Sequence, residues 1–259
     1  MTLRLANADD TPGDLFSELR RFTPARIGIG RAGDSLPTAR LIEFQAAHAL
    51  ARDAVHGEVD WPAIRAALPG PDIIEVHSKA VDRSTYLRRP DLGRMLREDD
   101  TARLPHGMWD LALVIADGLS SAAVMSWAAP TATAIMQQLP DWRIAPIICA
   151  RQARVAIADE IGQHMGVPLV AVLIGERPGL SVANSLSIYL TYEPRIGRKD
   201  SERNCISNIH AAGLSPTEAA QKLCWLSRMA RAHRLSGIGL KDEAPSLAAA
   251  QKLSGQELE

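Results

Sequence analysis

Three short apolar runs constrain this chain more than anything else in it: residues 111–116 (LALVIA), 144–150 (IAPIICA) and 169–174 (LVAVLI). A strand covered on both faces reads as an unbroken apolar run, whereas a strand with one wet face alternates. Helix-like stretches lie between the runs, at about residues 130–139 and 155–165. Buried strands alternating with helices predict an α/β fold, with a parallel, Rossmann-like sheet and helices on both faces. Residues 185–192 (SLSIYLTY) alternate polar and apolar, which predicts a half-exposed strand at a mixed edge of that sheet.

An N-terminal helical segment is expected ahead of the sheet. Residues 1–20 read as a short leader with a helical turn over 14–21. Residues 21–100 read as a mainly helical part, 101–242 as the α/β domain and 243–259 as a flexible tail. Pro37 predicts a helix start, with Ser35 or Leu36 as cap. Leu41, Phe44, His48, Ala51 and Val55 recur at helical spacing, which predicts a buried face that includes His48. A short helix over 61–68 and a strand over 72–77 follow. In residues 84–97 a loop leads into a helix, with Pro90 in its first turn. The last helix is marked by Ser215-Pro216-Thr217-Glu218, a capping box with proline at the first helical position. It runs to about Leu235 and stops at Ser236-Gly237.

Charge and cysteine content narrow the function. A net charge of -1 gives no overall field for nucleic acid or a membrane surface. Three phenylalanines, three tyrosines and five tryptophans are too few for a base-stacking platform. Cys149, Cys205 and Cys224 form no C-x-x-C pair, which predicts reduced thiols in a cytoplasmic protein and no metal site. The polar N-terminus carries no signal-peptide pattern, and the longest apolar run is too short to span a bilayer.

Several stretches carry possible chemistry. Gly28-Ile29-Gly30-Arg31-Ala32-Gly33 is a literal G-x-G-x-x-G, and Asp53 falls at the distance of a ribose-binding acid. A nicotinamide oxidoreductase is therefore the alternative reading. However, Pro24 and Arg26 spoil the strand that such a loop requires, and Asp34-Ser35-Leu36-Pro37 intervene before the helix. Asp117-Gly118-Leu119-Ser120-Ser121 follows a buried strand, where a serine either meets a ligand or caps the next helix. Glu176 in Gly175-Glu176-Arg177-Pro178-Gly179 either faces the crest of the sheet or pairs with an arginine. Cys205 and His210 fit a nucleophile pair only if a loop brings them together. Asn208-Ile209-His210-Ala211-Ala212-Gly213 departs from the D-x-H-x-x-G of histidine-on cobalamin proteins at its first residue.

The ordered series RIGIGRAG, LRRPDLGR, VIADGLS, ARVAIADEIG, LIGERPGLS and RNCISNIHAAG, over residues 20–241, resembles the small (light) chain of ethanolamine ammonia-lyase. The resemblance implies a subunit of an ammonia-lyase that turns ethanolamine into acetaldehyde and ammonia by a radical mechanism. It implies adenosylcobalamin, base-on, held between this chain and a large TIM-barrel chain that carries the catalytic residues. In this chain it implies cobalamin contacts from Val155, Glu176 and Cys205, with the cysteine as a packing contact. It also implies a hetero-oligomer of several small and large chains, in the cytoplasm, with bacterial microcompartments as the further destination of some members.

Overall fold

The apolar runs form the middle of one sheet. The computed structural model describes residues 16–23, 25–68, 70 and 73–244. Most of the expected leader and nearly all of the expected tail therefore lie outside the described residues. Four strands run parallel: β1 (Ile73–His77), β2 (Ala112–Ala116), β3 (Ile147–Arg151) and β4 (Leu169–Gly175). They are continued by β5 (Leu186–Tyr192) and β6 (Arg203–Ile209), both added antiparallel to their neighbours. The order across the sheet is β1-β3-β2-β4-β5-β6, so β2 lies between strands on both sides, with Val114 opposite both Ile148 and Val172. The fold is α/β with a six-stranded mixed sheet.

Helices cover both faces. Leu111, Leu113 and Ile115 point to one face. There they meet α3 (Trp61–Ala67), α6 (Ser121–Gln138) and α8 (Pro216–His233) through Ile64, Val124, Ile135 and Leu223. Ala112, Val114 and Ala116 point to the other and meet Ile157, Ile161 and Met165 of α7 (Ile157–Met165). The small side chains on the second face let α7 approach closely, while the branched ones on the first fill the space beneath larger helices. Four further helices lie before β2: α1 (Ser17–Arg20), α2 (Thr38–His56), α4 (Arg83–Arg88) and α5 (Glu98–Thr101).

Several expectations from the sequence are corrected. The face of α2 expected to be buried is not: Leu41, Phe44 and His48 are exposed and Ala54 is the residue that α2 buries. The periodicity is real, but no described residue covers Leu41, Phe44 or His48. The alternating segment β5 is not an edge: it sits between β4 and β6. Its polar positions are buried and satisfied, Ser187 donating to Glu176 and Thr191 accepting from Arg203 at 3.0 Å. The true edge on that side is β6, read from sequence as loop because Arg203, Asn204, Ser207 and Asn208 are weak strand formers. Helix α6 starts well before Pro130, which lies inside it; Ser120 caps it by accepting from Ala123 N–H at 3.1 Å. Proline's preference for a first turn is what misplaced that start. Helix α4 likewise precedes Pro90 and is capped by Asp82.

The C-terminal helix begins as expected, with Ser215 and Glu218 bonded reciprocally. It ends on Arg234 in the left-handed conformation, not at the expected Gly237. The segment after it folds back over the start of β6. There Asn204 donates to Leu240 O at 2.7 Å and accepts from Gly237 N–H at 2.8 Å. One ion pair is fully enclosed: Arg203 on β6 grips Asp159 on α7 with both terminal nitrogens, the second at 2.6 Å from Oδ2. Burial pushes the Asp159 carboxyl up while the guanidinium pulls it down. Losing either partner would strand a buried charge.

Candidate functional site

In an open α/β sheet, ligands sit beyond the carboxyl ends of the strands, where loops from neighbouring strands diverge. Here β2 and β4 end side by side, and a cleft of about 150 Å³ opens there. Gly118 and Leu119, after β2, form one wall. Arg154 and Val155, after β3, form a second, and Glu176, after β4, a third; Tyr86 of α4 and Tyr189 of β5 close it. Two glycines let the walls approach. Gly118 has φ +58°, and a Cβ on it would run into the backbone of Gly175; one on Gly175 would run into Ser120 O.

Val155 and Glu176, expected from sequence, come together in this cleft. Glu176 does not pair with Arg177. Its Oε1 accepts from the Ser187 hydroxyl and from Asn208 N–H at 3.0 Å. That second bond anchors a turn in which Asn208 has φ +62°. Cys205 is not on the cleft wall but beside it, opposite Tyr189 in the β5–β6 register. Burial of its sulfur raises the thiol above its ordinary value, although hydrogen bonds with Tyr189 and Ser187 pull it down. The residue is exposed overall. A raised thiol is a poor nucleophile. His210 gives it no help, because its Nδ1 accepts from Ala212 N–H at 3.2 Å within the turn after β6. Cys205 is thus a soft packing surface. Burial likewise raises the Tyr189 and Tyr86 phenols, so both rings stay neutral donors.

The sequence did not point to Tyr86, Arg154 or Tyr189. Arg83 and Arg154 lie over the Tyr86 ring at 4.8 and 4.5 Å, and Tyr86 Oη donates to Ala153 O at 3.2 Å. Arg83 is one helical turn before Tyr86, but Ala153 and Arg154 are far from it in sequence, so no local pattern announces the cluster. Of the two serines after β2, Ser120 is a cap that also donates to Ala183 O at 2.7 Å, and Ser121 donates to Ala54 O at 3.3 Å. Neither is left for a ligand. Among the described residues no cluster of three or more His, Cys, Asp or Glu is arranged to hold a metal ion, and no helix is long and apolar enough to cross a membrane.

The glycine motif lies elsewhere. Gly28, Gly30 and Gly33 all have positive φ, but among the described residues no strand precedes them, and a small turn closed by Ala32 and Ser35, with Gly33 inside it, comes before α2. The strand–loop–helix setting of a dinucleotide site is absent. Gly28 packs against Phe16, where any Cβ would collide with the ring. Asp53 is exposed in the last turn of α2, on a helix and not at the end of a strand.

Residues 13–241 match the ethanolamine ammonia-lyase light chain family. This chain belongs to that family. It is 49% identical over 243 residues to an ethanolamine ammonia-lyase small subunit of Pseudomonas syringae, covering 90% of this chain and 85% of the relative. A protein of the same name from Azotobacter vinelandii is 51% identical over 239 residues, 88% of either chain. One from Rhodopseudomonas palustris is 51% identical over 248 residues, 92% of this chain and 94% of the relative. The family match spans every strand and the whole cleft, whereas the nicotinamide alternative has neither the geometry nor a relative in its favour.

Proposed function

We propose that this chain is the small subunit of an adenosylcobalamin-dependent ethanolamine ammonia-lyase, and that its cleft beyond β2 and β4 holds part of the cofactor against a large catalytic chain. The observation that carries the reading is the convergence of Val155 and Glu176 in one cleft, with Cys205 beside it, in a chain of this family. A base-on corrin fits the residues present. It is a broad, partly apolar ring fringed with amide arms; the cleft offers an apolar methyl surface in Val155 and a carboxylate acceptor in Glu176, and the Cys205 sulfur lies beside it. His210, engaged in its own turn, is consistent with a cofactor that keeps its own base on cobalt.

When bound, the cofactor supplies a carbon-centred radical through homolysis of its Co–C bond. The residues of this chain bind and orient. Glu176 accepts from amide N–H groups, already aimed by Ser187 and Asn208. Val155 and Cys205 supply contact area and keep water from that side of the ring. In this reading the ethanolamine-binding and catalytic residues are on the large chain, several copies of each chain assemble together, and residues 101–242 carry the cofactor contacts.

The test is acetaldehyde formation from ethanolamine and adenosylcobalamin, with this chain and its large chain together and apart. Activity is expected only with both chains and the cofactor. Full activity of the large chain alone would overturn the reading. In the assembled enzyme, Glu176→Ala should weaken cobalamin binding about tenfold, the cost of one charge-assisted hydrogen bond.

A further inference from the structure

Two loops make the cleft walls on either side of the end of β2, and one buried side chain ties them together. Asp117, the residue after β2, is 5% exposed. Its Oδ1 accepts from Gly118 N–H at 3.1 Å and from Ala153 N–H at 2.8 Å, and its Oδ2 accepts from Gln152 N–H at 2.7 Å. Gly118 and Gln152 are both in left-handed backbone, with φ of 58° and 51°. A glycine adopts that freely, but a glutamine holds it only where its surroundings insist. The next residues along the two loops, Leu119 and Arg154-Val155, are cleft wall.

Arg83 of α4 completes the clamp. Its Nη1 donates to Gly118 O and its Nε to Val55 O, both at 2.8 Å, and it reaches Asp117 Oδ2 at 4.0 Å. Since a Cβ on Gly118 would already strike Gly175, the β2 loop is fixed on its other side as well. The separation of the Gly118 and Val155 walls is therefore set by bonds that converge on one carboxylate, and the Glu176 wall is held to the Gly118 loop by Leu119 N–H donating to Gly175 O at 2.9 Å.

Resting on the cofactor-binding reading above, we propose that Asp117 is a positioning residue of the cobalamin site: it touches no cofactor, and it acts by holding the Gly118 and Val155 loops at the spacing that the corrin needs. Three converging N–H groups require a carboxylate. The amide of Asp117→Asn keeps one acceptor oxygen and turns an NH₂ towards the third N–H, so one loop must let go.

The experiment uses the reconstituted two-chain enzyme. Binding of adenosylcobalamin is measured by equilibrium dialysis for wild type, Asp117→Asn and Glu176→Ala, and amide hydrogen exchange is read in the same samples without cofactor. Asp117→Asn should weaken binding by about tenfold or more, the loss of a hydrogen bond to a charged group. It should also speed exchange at Gly118 and at residues 152–155 while leaving the amides of β4 unchanged. Faster exchange with unaltered affinity overturns the proposal, as does no change in either. A wild-type complex that binds no cobalamin overturns the parent reading and the proposal with it. Weakening by Glu176→Ala alone leaves the parent reading standing and removes Asp117.

Should Asp117→Asn fail to fold, the wild-type pH profile decides. Burial pushes the Asp117 carboxyl up to about 6, with Arg83 and the three N–H groups opposing. The charged and titratable groups around it are Arg83 and Tyr86 from α4, Arg154 from the β3 loop, and Glu58, His77, Asp82 and Arg151 lining the neighbouring cleft. Affinity should fall as pH drops through about 6 in wild type and equally in His77→Gln, because protonation removes an acceptor from the clamp. A flat profile, or one abolished by His77→Gln, overturns the proposal.

Discussion

Helices α2 and α6 are nearly the same length, 19 and 18 residues, and both carry many apolar side chains. Helix α6 buries eight residues between the sheet and α8, whereas α2 buries only Ala54. Leu41, Ile42, Phe44 and Leu50 of α2 remain 40%, 59%, 39% and 64% exposed. The two also differ at their starts: Ser120 caps α6, while Pro37 offers α2 no side-chain cap. Amphipathic spacing therefore states that a helix wants a partner, and not where the partner comes from. For α6 it comes from this chain. For α2, in a family of small subunits, the large chain of the proposed complex is the partner to test.

The comparison breaks first if both helices respond alike to a charge. Ile135→Asp in α6 should cost more than about 4 kcal/mol and abolish cooperative folding, because it buries an unpaired carboxylate. Leu50→Asp in α2 should leave the melting temperature of the isolated chain within experimental scatter. Equal losses in thermal melts would show that α2 is covered within this chain after all.

The crest next to α6 has a pH signature of its own. The folded protein holds the Asp117 proton more tightly than the unfolded chain does, about 6 against 3.8. This contribution to stability is fully present below about pH 4 and lost as pH rises through about 6, by about 3 kcal/mol. Asp117→Asn should flatten that segment of a urea-melt pH series. An unchanged slope in Asp117→Asn would assign it to other carboxylates. Stability and cofactor affinity then have opposite pH dependences, the pattern of a group retained for a site and not for the fold.

On assembly the roles of the helices reverse. Leu50→Asp should weaken association with the large chain about tenfold, the scale of one lost apolar anchor, as read by analytical ultracentrifugation. Undiminished association would move the docking face elsewhere. The smallest effect expected is at a cap: Ser215→Ala should cost about 1 kcal/mol in denaturant melts. Ser35→Ala, at the uncapped start of α2, should cost nothing measurable.

Much of the architecture was legible because strands β2, β3 and β4 are apolar for a single reason, burial on both faces. Glu176 drew notice through its place just after such a strand, with a cleft role and an arginine pair left open, while Val155 was named only through the family resemblance. Pairing was not: β6 has the composition of a loop and becomes a strand because β5 offers it a ladder. Nor was the Asp117 clamp legible, although the aspartate itself stands out after β2. Its partners Gln152 and Ala153 reach it through backbone N–H groups, which every non-proline residue has, so their side chains carry no signal. The burial expected for Leu41, Phe44 and His48 was misplaced for the converse reason, since helical spacing records that a face is apolar and not what lies over it.

The fastening of β6 bears on how such a subunit lives before it is assembled. An open edge strand is a template on which further copies can stack. Here Asn204 pins the segment around residues 237–240 over the start of β6, and the bridge between Ile209 and Leu214 closes its far end. The β6 edge of the sheet is thus fastened at both its ends, where a further copy would otherwise begin to stack.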